Sequence, residues 1–297
     1  MASLSEETKK RPPVAHAVAG FLAGAIATTL LFPLDLIKVR FQAESSRHLP
    51  TIADKMLSIR KTEGFRSLFA GLSPALAASA VSWAGFFFMY ERAKTRRTDE
   101  NLHLTRSEKM ARDALSSIEA GAVMVLITNP IWLVKTRLQL QPTYYKGLVD
   151  ALTRIPREEG IFALYRGLFP ALLLTSHGAI QLVVYEELKR FRDPNGSTAG
   201  LALVYGSIAK LAASIATYPY QVVKTRVQQR FPHSAANNKK NLAASELART
   251  YYCVKDTLRH EGLRGFFKGC WPSCLKVIPS AAITFWTYEL ILRRVPL

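Results

Sequence analysis

A proline followed at fixed offsets by two bases and a glutamine occurs three times in this chain. The copies read PLDLIKVRFQ from Pro33, PIWLVKTRLQ from Pro130 and PYQVVKTRVQ from Pro219. A second block trails each copy: EGFRSLFAG at 63–71, EGIFALYRG at 159–167 and EGLRGFFKG at 261–269. Three residues beyond each final glycine stands another proline, at Pro74, Pro170 and Pro272. Each unit then closes on Tyr-Glu, at Tyr90-Glu91, Tyr185-Glu186 and Tyr288-Glu289. Three elements recurring in one order define an internal repeat, and the fold must be three copies of one unit.

Hydropathy says what the unit is. Six stretches are long, apolar and nearly free of charge: roughly 14–34, 72–90, 116–134, 168–185, 201–223 and 270–292. Each is about the twenty residues a helix needs to cross hydrocarbon. The expected fold is therefore an all-α membrane protein of six transmembrane helices, two per repeat, with pseudo-threefold symmetry. We divide the chain into an N-terminal tail at 1–13 and repeats at 14–97, 112–192 and 201–294. Within each repeat, apolar residues recur every three or four positions just before Glu-Gly. This predicts a short helix lying on the membrane surface. The third linker carries an extra polar run, FPHSAANNKKNLAASELART, which reads as a loop insertion. Both sets of loops are basic, so the Lys/Arg asymmetry that usually fixes orientation gives none here.

The net charge of +18 has three common readings: nucleic acid, an anionic membrane surface, or a small anionic ligand. Six apolar spans argue against a soluble nucleic-acid-binding protein. There is no nucleophile–base constellation, no metal-ligand spacing and no GxxxxGK[ST] loop, so an enzyme is not expected. Cys253, Cys270 and Cys274 make no disulfide framework and read as small packing residues. The first thirteen residues have no apolar signal core and do not resemble a transit peptide.

A proline inside a span removes one backbone hydrogen bond and bends the helix. Pro33, Pro130 and Pro219 would bend spans 1, 3 and 5 at equivalent points, so that the three helices converge at one end. The charges just past each bend would meet there, where a charge near hydrocarbon needs a partner or a water-filled cavity.

These blocks resemble the mitochondrial carrier family, over nearly the whole chain. The resemblance implies a multi-pass protein of the mitochondrial inner membrane. It implies one central site opened alternately to each side by rocking of the repeats. It also implies a matrix gate in which the acid of one repeat meets the base of the next. Here Asp35 would pair with Lys135, Trp132 would face Lys224 and Gln221 would face Lys38. A cytosolic gate would pair Glu91 with Lys189 and Glu289 with Lys94. Glu186 would need a base at Leu292, where this chain has none, though Arg293 is adjacent.

Lys210 and Lys276 fall mid-span, Lys38, Lys135 and Lys224 ring the bottom, and Glu119 is the buried acid. This excess of positive charge suggests an anionic cargo. Lys210 and Glu119 occupy nearly equivalent slots, and either a structural pair or substrate contact fits them. Lys276 has no evident acid and matches a family substrate-contact position. The other two contact positions fall at Ala78 and at Leu173–Leu174, small or apolar residues suited to a flat ring. The tryptophan of NPIW is similar to a branch carrying pyrimidine nucleotides, NAD, FAD and folate. SWAGFFFMYE, TSHGAIQLVVYE and ATYPYQVVKTRVQ look most like its FAD/folate carriers. FAD or folate is thus the expected cargo rather than a bound prosthetic group. NAD, a pyrimidine nucleotide or a dissipative proton or anion leak are the alternatives. His177 reads as either a packing residue or a cargo contact. A monomer is expected, with anionic lipid against the surface helices.

Overall fold

The computed structural model describes residues 13–46, 49–97, 106–192, 199–229 and 246–294. Most of the N-terminal tail and of the polar insertion in the third linker lie outside the described residues. All regular structure among the described residues is helical.

Repeat 1 runs α1 (Pro13–Leu30), α2 (Phe32–Ala43), the surface helix α3 (Ile52–Thr62) and α4 (Leu72–Arg97). Repeat 2 runs α5 (Arg106–Leu140), the surface helix α6 (Leu148–Glu159), α7 (Leu168–Leu173) and α8 (Ser176–Arg192). Repeat 3 runs α9 (Ala199–Ala216), α10 (Tyr218–Gln228), the surface helix α11 (Glu246–Glu261) and α12 (Cys270–Arg294). Four helices are long and apolar enough to span a bilayer, or five if the bent pair α1–α2 counts as one. The remaining expected span is α9, whose apolar part is shorter and which continues into α10 after Thr217.

The prolines act unequally. α1 and α2 meet at 61° around Leu31, and α9 and α10 are broken at Thr217. α5, by contrast, continues through Pro130 as one helix. One deleted hydrogen bond is a small part of a 35-residue ladder, and the turns on either side carry the helix across.

The last helix of each repeat packs on the first helix of the next: α4 on α5, α8 on α9, and α12 on α1. The third contact closes the ring. Exposed apolar side chains such as Trp83, Phe88, Ile118, Leu182 and Trp286 cover the outer surface, as expected where the solvent is lipid.

Each surface helix is anchored by a small core against the post-proline segment. In repeat 1, Leu36, Ile37 and Phe41 pack with Ile59 and Leu68. In repeat 2, Leu133, Val134 and Leu138 pack with Ile155 and Leu164. In repeat 3, Val223 and Val227 pack with Phe266, and Cys253 of α11 packs against them. Thr51 caps α3, its Oγ1 accepting from the Asp54 amide at 3.1 Å.

The closing glycine of each second block explains its recurrence. Gly71, Gly167 and Gly269 have φ of +85°, +78° and +78°, in the left-handed region where side chains are strained. Each also abuts the next repeat. A Cβ on Gly71 would fall 3.0 Å from the Lys135 carbonyl oxygen, and one on Gly269 2.8 Å from that of Lys38. Close approach between repeats therefore fixes glycine here.

Candidate functional site

The post-proline segments α2, the end of α5, and α10 converge on the axis and close one end of the bundle in two concentric rings. The outer ring uses the second base of each motif. Arg40 donates to both Glu63 oxygens at 2.5 and 2.6 Å. Arg137 does so to Glu159 at 2.5 and 3.0 Å. Arg226 does so to Glu261 at 2.9 and 2.8 Å. The acid in every case is the Glu of Glu-Gly in the same repeat. Each arginine Nε also donates to a carbonyl of the next repeat: Arg40 to Gln139 at 3.0 Å, Arg137 to Gln228 at 3.2 Å, and Arg226 to Gln42 at 2.9 Å. The guanidinium fork thus ties its own surface helix to its neighbour. Arg166 and Lys268 add a second base to Glu159 and Glu261, whereas the equivalent residue in repeat 1 is Ala70. Burial would raise the Glu159 carboxyl. The hydrogen bonds and charge of Arg137, with the charge of Arg166, outweigh it and hold the group below the usual carboxylate range. Glu261 is held down in the same way, by Arg226 and Lys268 against burial. This outer ring was legible in the sequence, since base and acid each recur three times, but the pairing was not drawn from it.

The inner ring uses the first base, and its three contacts differ. Lys135 donates to Asp35 Oδ2 at 2.6 Å. Lys38 donates to Gln221 Oε1 at 2.9 Å. Lys224 lies 5.9 Å from the Trp132 ring centroid, a cation–π distance, and Lys135 flanks the same residue at 5.3 Å.

One expectation is corrected. Lys276 has an acid partner: its Nζ donates to Asp35 Oδ1 at 2.9 Å. One carboxylate therefore bridges a base of the inner ring and a base from mid-span α12. The pair was invisible in sequence because 241 residues separate its members and repeats 1 and 2 have Ala78 and Leu174 where repeat 3 has Lys276.

Above the rings lies a cavity of about 530 Å³. Lys38, Lys135, Lys210, Lys224 and Lys276 all line it, and Asp35 is the one acid among the described lining residues. Trp132, Leu174 and His177 add flatter or apolar surface. Other expected contacts fall elsewhere. Ala78 is fully buried in helix packing, and neither it nor Leu173 lines the cavity. Glu119 does not pair with Lys210. It sits against Arg96 across the α4–α5 contact, since position 119 faces the neighbouring helix rather than the axis.

The opposite end is differently built. Glu91, Glu186 and Lys189 are exposed, and Glu91 makes no ion pair with Lys189 among the described residues. Glu289 is half-buried. The side chains of Lys94 and Arg293 lie outside the described residues. The bundle is thus closed at the proline end by two rings and unlatched at the other between Glu91 and Lys189.

A basic cavity on the axis of a membrane-embedded bundle, closed at one end by two rings of paired side chains, has the form of a solute carrier. Comparison with known proteins agrees. A family model described as mitochondrial carrier protein matches residues 9–101, 106–196 and 195–296. The chain is 41% identical to "Folate transporter 1, chloroplastic" of Arabidopsis thaliana, over 94% of each chain. It is 35% identical to "Nicotinamide adenine dinucleotide transporter 2, mitochondrial" of the same plant, over 95% of this chain and 80% of the relative. It is 33% identical to "Peroxisomal membrane protein PMP34" of Mus musculus, over 92% and 91%. The chain belongs to the mitochondrial carrier family, and it is a multi-pass membrane transporter.

Proposed function

We propose that this protein carries a flat anionic cofactor, FAD or folate, across the mitochondrial inner membrane by alternating access. The observation that carries the reading is the cavity: five lysines around one carboxylate, with an indole in the floor. Such a surface attracts phosphates or carboxylates and offers a ring system a face to lie against. The 41% identity to a folate transporter supports the same class. Relatives named for chloroplast and peroxisome show that family membership does not fix the compartment. The mitochondrial assignment rests on the resemblance. A second reading, NAD, draws on the 35% identical NAD transporter. The cavity is enclosed by the three repeats of one chain, so a monomer suffices. Anionic lipid against α3, α6 and α11 would satisfy the bases of these surface helices.

In this reading the rings form the matrix gate, and the conformation is open toward the cytosol. Glu91, Lys94, Glu186, Lys189 and Glu289 would latch the other end after cargo moves. The anion of the cargo competes with Asp35 for Lys276. Taking that lysine removes one of the two ion pairs of Asp35, weakening the closed gate relative to the open one. A ligand shifts a conformational equilibrium only by such differential contacts.

The test is counter-exchange in proteoliposomes loaded in turn with FAD, folate, NAD and pyrimidine nucleotides. Saturable exchange of FAD or folate is expected. Exchange of NAD alone selects the second reading, and proton leak without exchange overturns both.

A further inference from the structure

We propose that His177 is a specificity-determining contact of the cavity, accepting a hydrogen bond from a ring amide N–H of the cargo. The inference rests on the FAD-or-folate reading above. Two independent features place this histidine.

The first is a break in the helix. Between the second-block proline and Tyr-Glu, repeats 1 and 3 run 16 residues and repeat 2 runs 15. The described α4 and α12 are continuous there, but in repeat 2 the helix is interrupted at Leu174–Thr175 between α7 and α8. The His177 amide reaches back to the Leu174 carbonyl at 3.1 Å, and Thr175 Oγ1 and Ser176 Oγ cap the carbonyls of Leu172 and Leu173, each at 2.7 Å. Leu174 and His177 flank this break and both line the cavity. The missing residue thus sets His177 into the first turn of α8 at the cavity wall.

The second feature is a hydrogen bond that favours one tautomer. His177 Nδ1 lies 3.0 Å from Thr217 Oγ1. That hydroxyl also reaches the Ala213 carbonyl at 2.8 Å, and with its proton directed there it accepts from the imidazole. Nδ1 therefore carries the hydrogen, and the neutral ring keeps a lone pair on Nε2. Nδ1 is the ring nitrogen turned toward Thr217, which leaves Nε2 on the far side of the ring. The five lysines of the wall only donate. They recognise anionic oxygens and cannot accept from a ring N–H, which needs an acceptor elsewhere on the wall. Nε2 supplies the acceptor. The ring systems of FAD and of folate each carry such an N–H. Methylating it would both remove the donor and bring a methyl group against Nε2.

The test compares exchange of FAD and folate with that of their N3-methyl derivatives in proteoliposomes. Wild type is expected to favour the parent compound roughly 10- to 100-fold in Vmax/KM, the range for a lost buried hydrogen bond. H177F is expected to lower parent exchange and bring the ratio near one. H177Q, whose amide oxygen can accept, should retain most of the ratio, and melting temperature in detergent reports folding of both variants. T217V frees the tautomer and should reduce the ratio without abolishing exchange, which marks Thr217 as a positioning residue. Equal exchange of parent and methylated compound by wild type overturns the contact while leaving the carrier reading intact. So does a ratio that persists in folded H177F. Failure of wild type to exchange either FAD or folate overturns the underlying reading instead.

Discussion

In the outer ring, Arg40, Arg137 and Arg226 make the same three contacts in every repeat. In the inner ring, one base meets a carboxylate, one an amide and one an indole. The rings are neighbours along the same three helices, two residues apart. The outer ring ties each surface helix to its own repeat and to the next one, and any departure from symmetry would loosen a seam between repeats. The inner ring faces the cavity. As the gate proposed above, its contacts would hold one conformational state against another, and unequal strengths there would change the balance of states without changing the fold.

That contrast predicts that outer-ring variants act on stability and inner-ring variants on exchange. The largest effect is expected from Arg137→Ala. Arg137 is 1% exposed and holds Glu159, Tyr145 and the Gln228 carbonyl. Breaking a buried pair from one side costs about 3–5 kcal/mol. Arg40→Ala should cost less, because Glu63 is more exposed than Glu159 and can regain water. Thermal unfolding in detergent checks the order, and equal losses would contradict it. Acid should act through the same ring. Glu159 and Glu261 have lowered pKa values in the folded state. Their contribution is therefore complete above the ordinary glutamate value, about 4.3. It is lost as pH falls through the folded values. Arg137→Ala should flatten the acid side of the stability curve.

Inner-ring changes come next. Asp35→Asn removes the carboxylate that bridges Lys135 and Lys276. Truncating one partner of such a hydrogen-bonded charge pair costs roughly 2–5 kcal/mol, here charged to the closed state. The expected result is impaired exchange and a proline end open more of the time. Labelling of S273C by an impermeant maleimide added from that end reads this, with Cys253, Cys270 and Cys274 replaced by serine. Unchanged labelling would show that the bridge does not hold the gate. Trp132→Asp works in the other direction. It exchanges a cation–π contact of about 0.5–2 kcal/mol for an acid opposite Lys224. Over-stabilising the closed gate should slow exchange several-fold, and faster transport would count against the gate role of this slot.

Much of this was legible in the sequence because it is periodic. Motif spacing defined three units, apolar length placed the helices, and the resemblance to carriers implied that Asp35 meets Lys135, Trp132 meets Lys224 and Gln221 meets Lys38. Aperiodic features were not. Lys276 stands where the other repeats have Ala78 and Leu174, so no pattern joined it to Asp35. Glu119 is a lone acid whose helix face depends on the exact rotation of α5, and it turns toward Arg96 instead of Lys210. The break at Leu174–Thr175 had a signal, the one-residue shortening of repeat 2, but a count of residues does not say where a helix will yield.

The smallest predicted effect is also the sharpest on symmetry. Between the two rings, Thr225 Oγ1 donates to Gln42 Oε1 at 2.8 Å, and Thr136 Oγ1 donates to Gln228 Oε1 at 2.9 Å. The third member of this cycle would be a threonine at position 39 donating to Gln139. Position 39 is valine, and Gln139 Oε1 is buried without a hydrogen-bond partner. Gln139 Nε2 reaches only to Asp35, at 3.4 Å. An unsatisfied buried acceptor costs about 1–3 kcal/mol, and the cost falls on the closed state, where the three helices meet. Val39→Thr supplies the donor with little change of volume. The closed end should gain about 1 kcal/mol, seen as a rise of roughly 2 °C in melting temperature, and exchange should slow by a few-fold as the gate opens less readily. Thr136→Val and Thr225→Val should do the reverse by creating the same orphan at the other two seams. If all three substitutions leave melting temperature and exchange unchanged, the glutamine cycle does not contribute to closing the gate, and the asymmetry at Val39 has no energetic consequence.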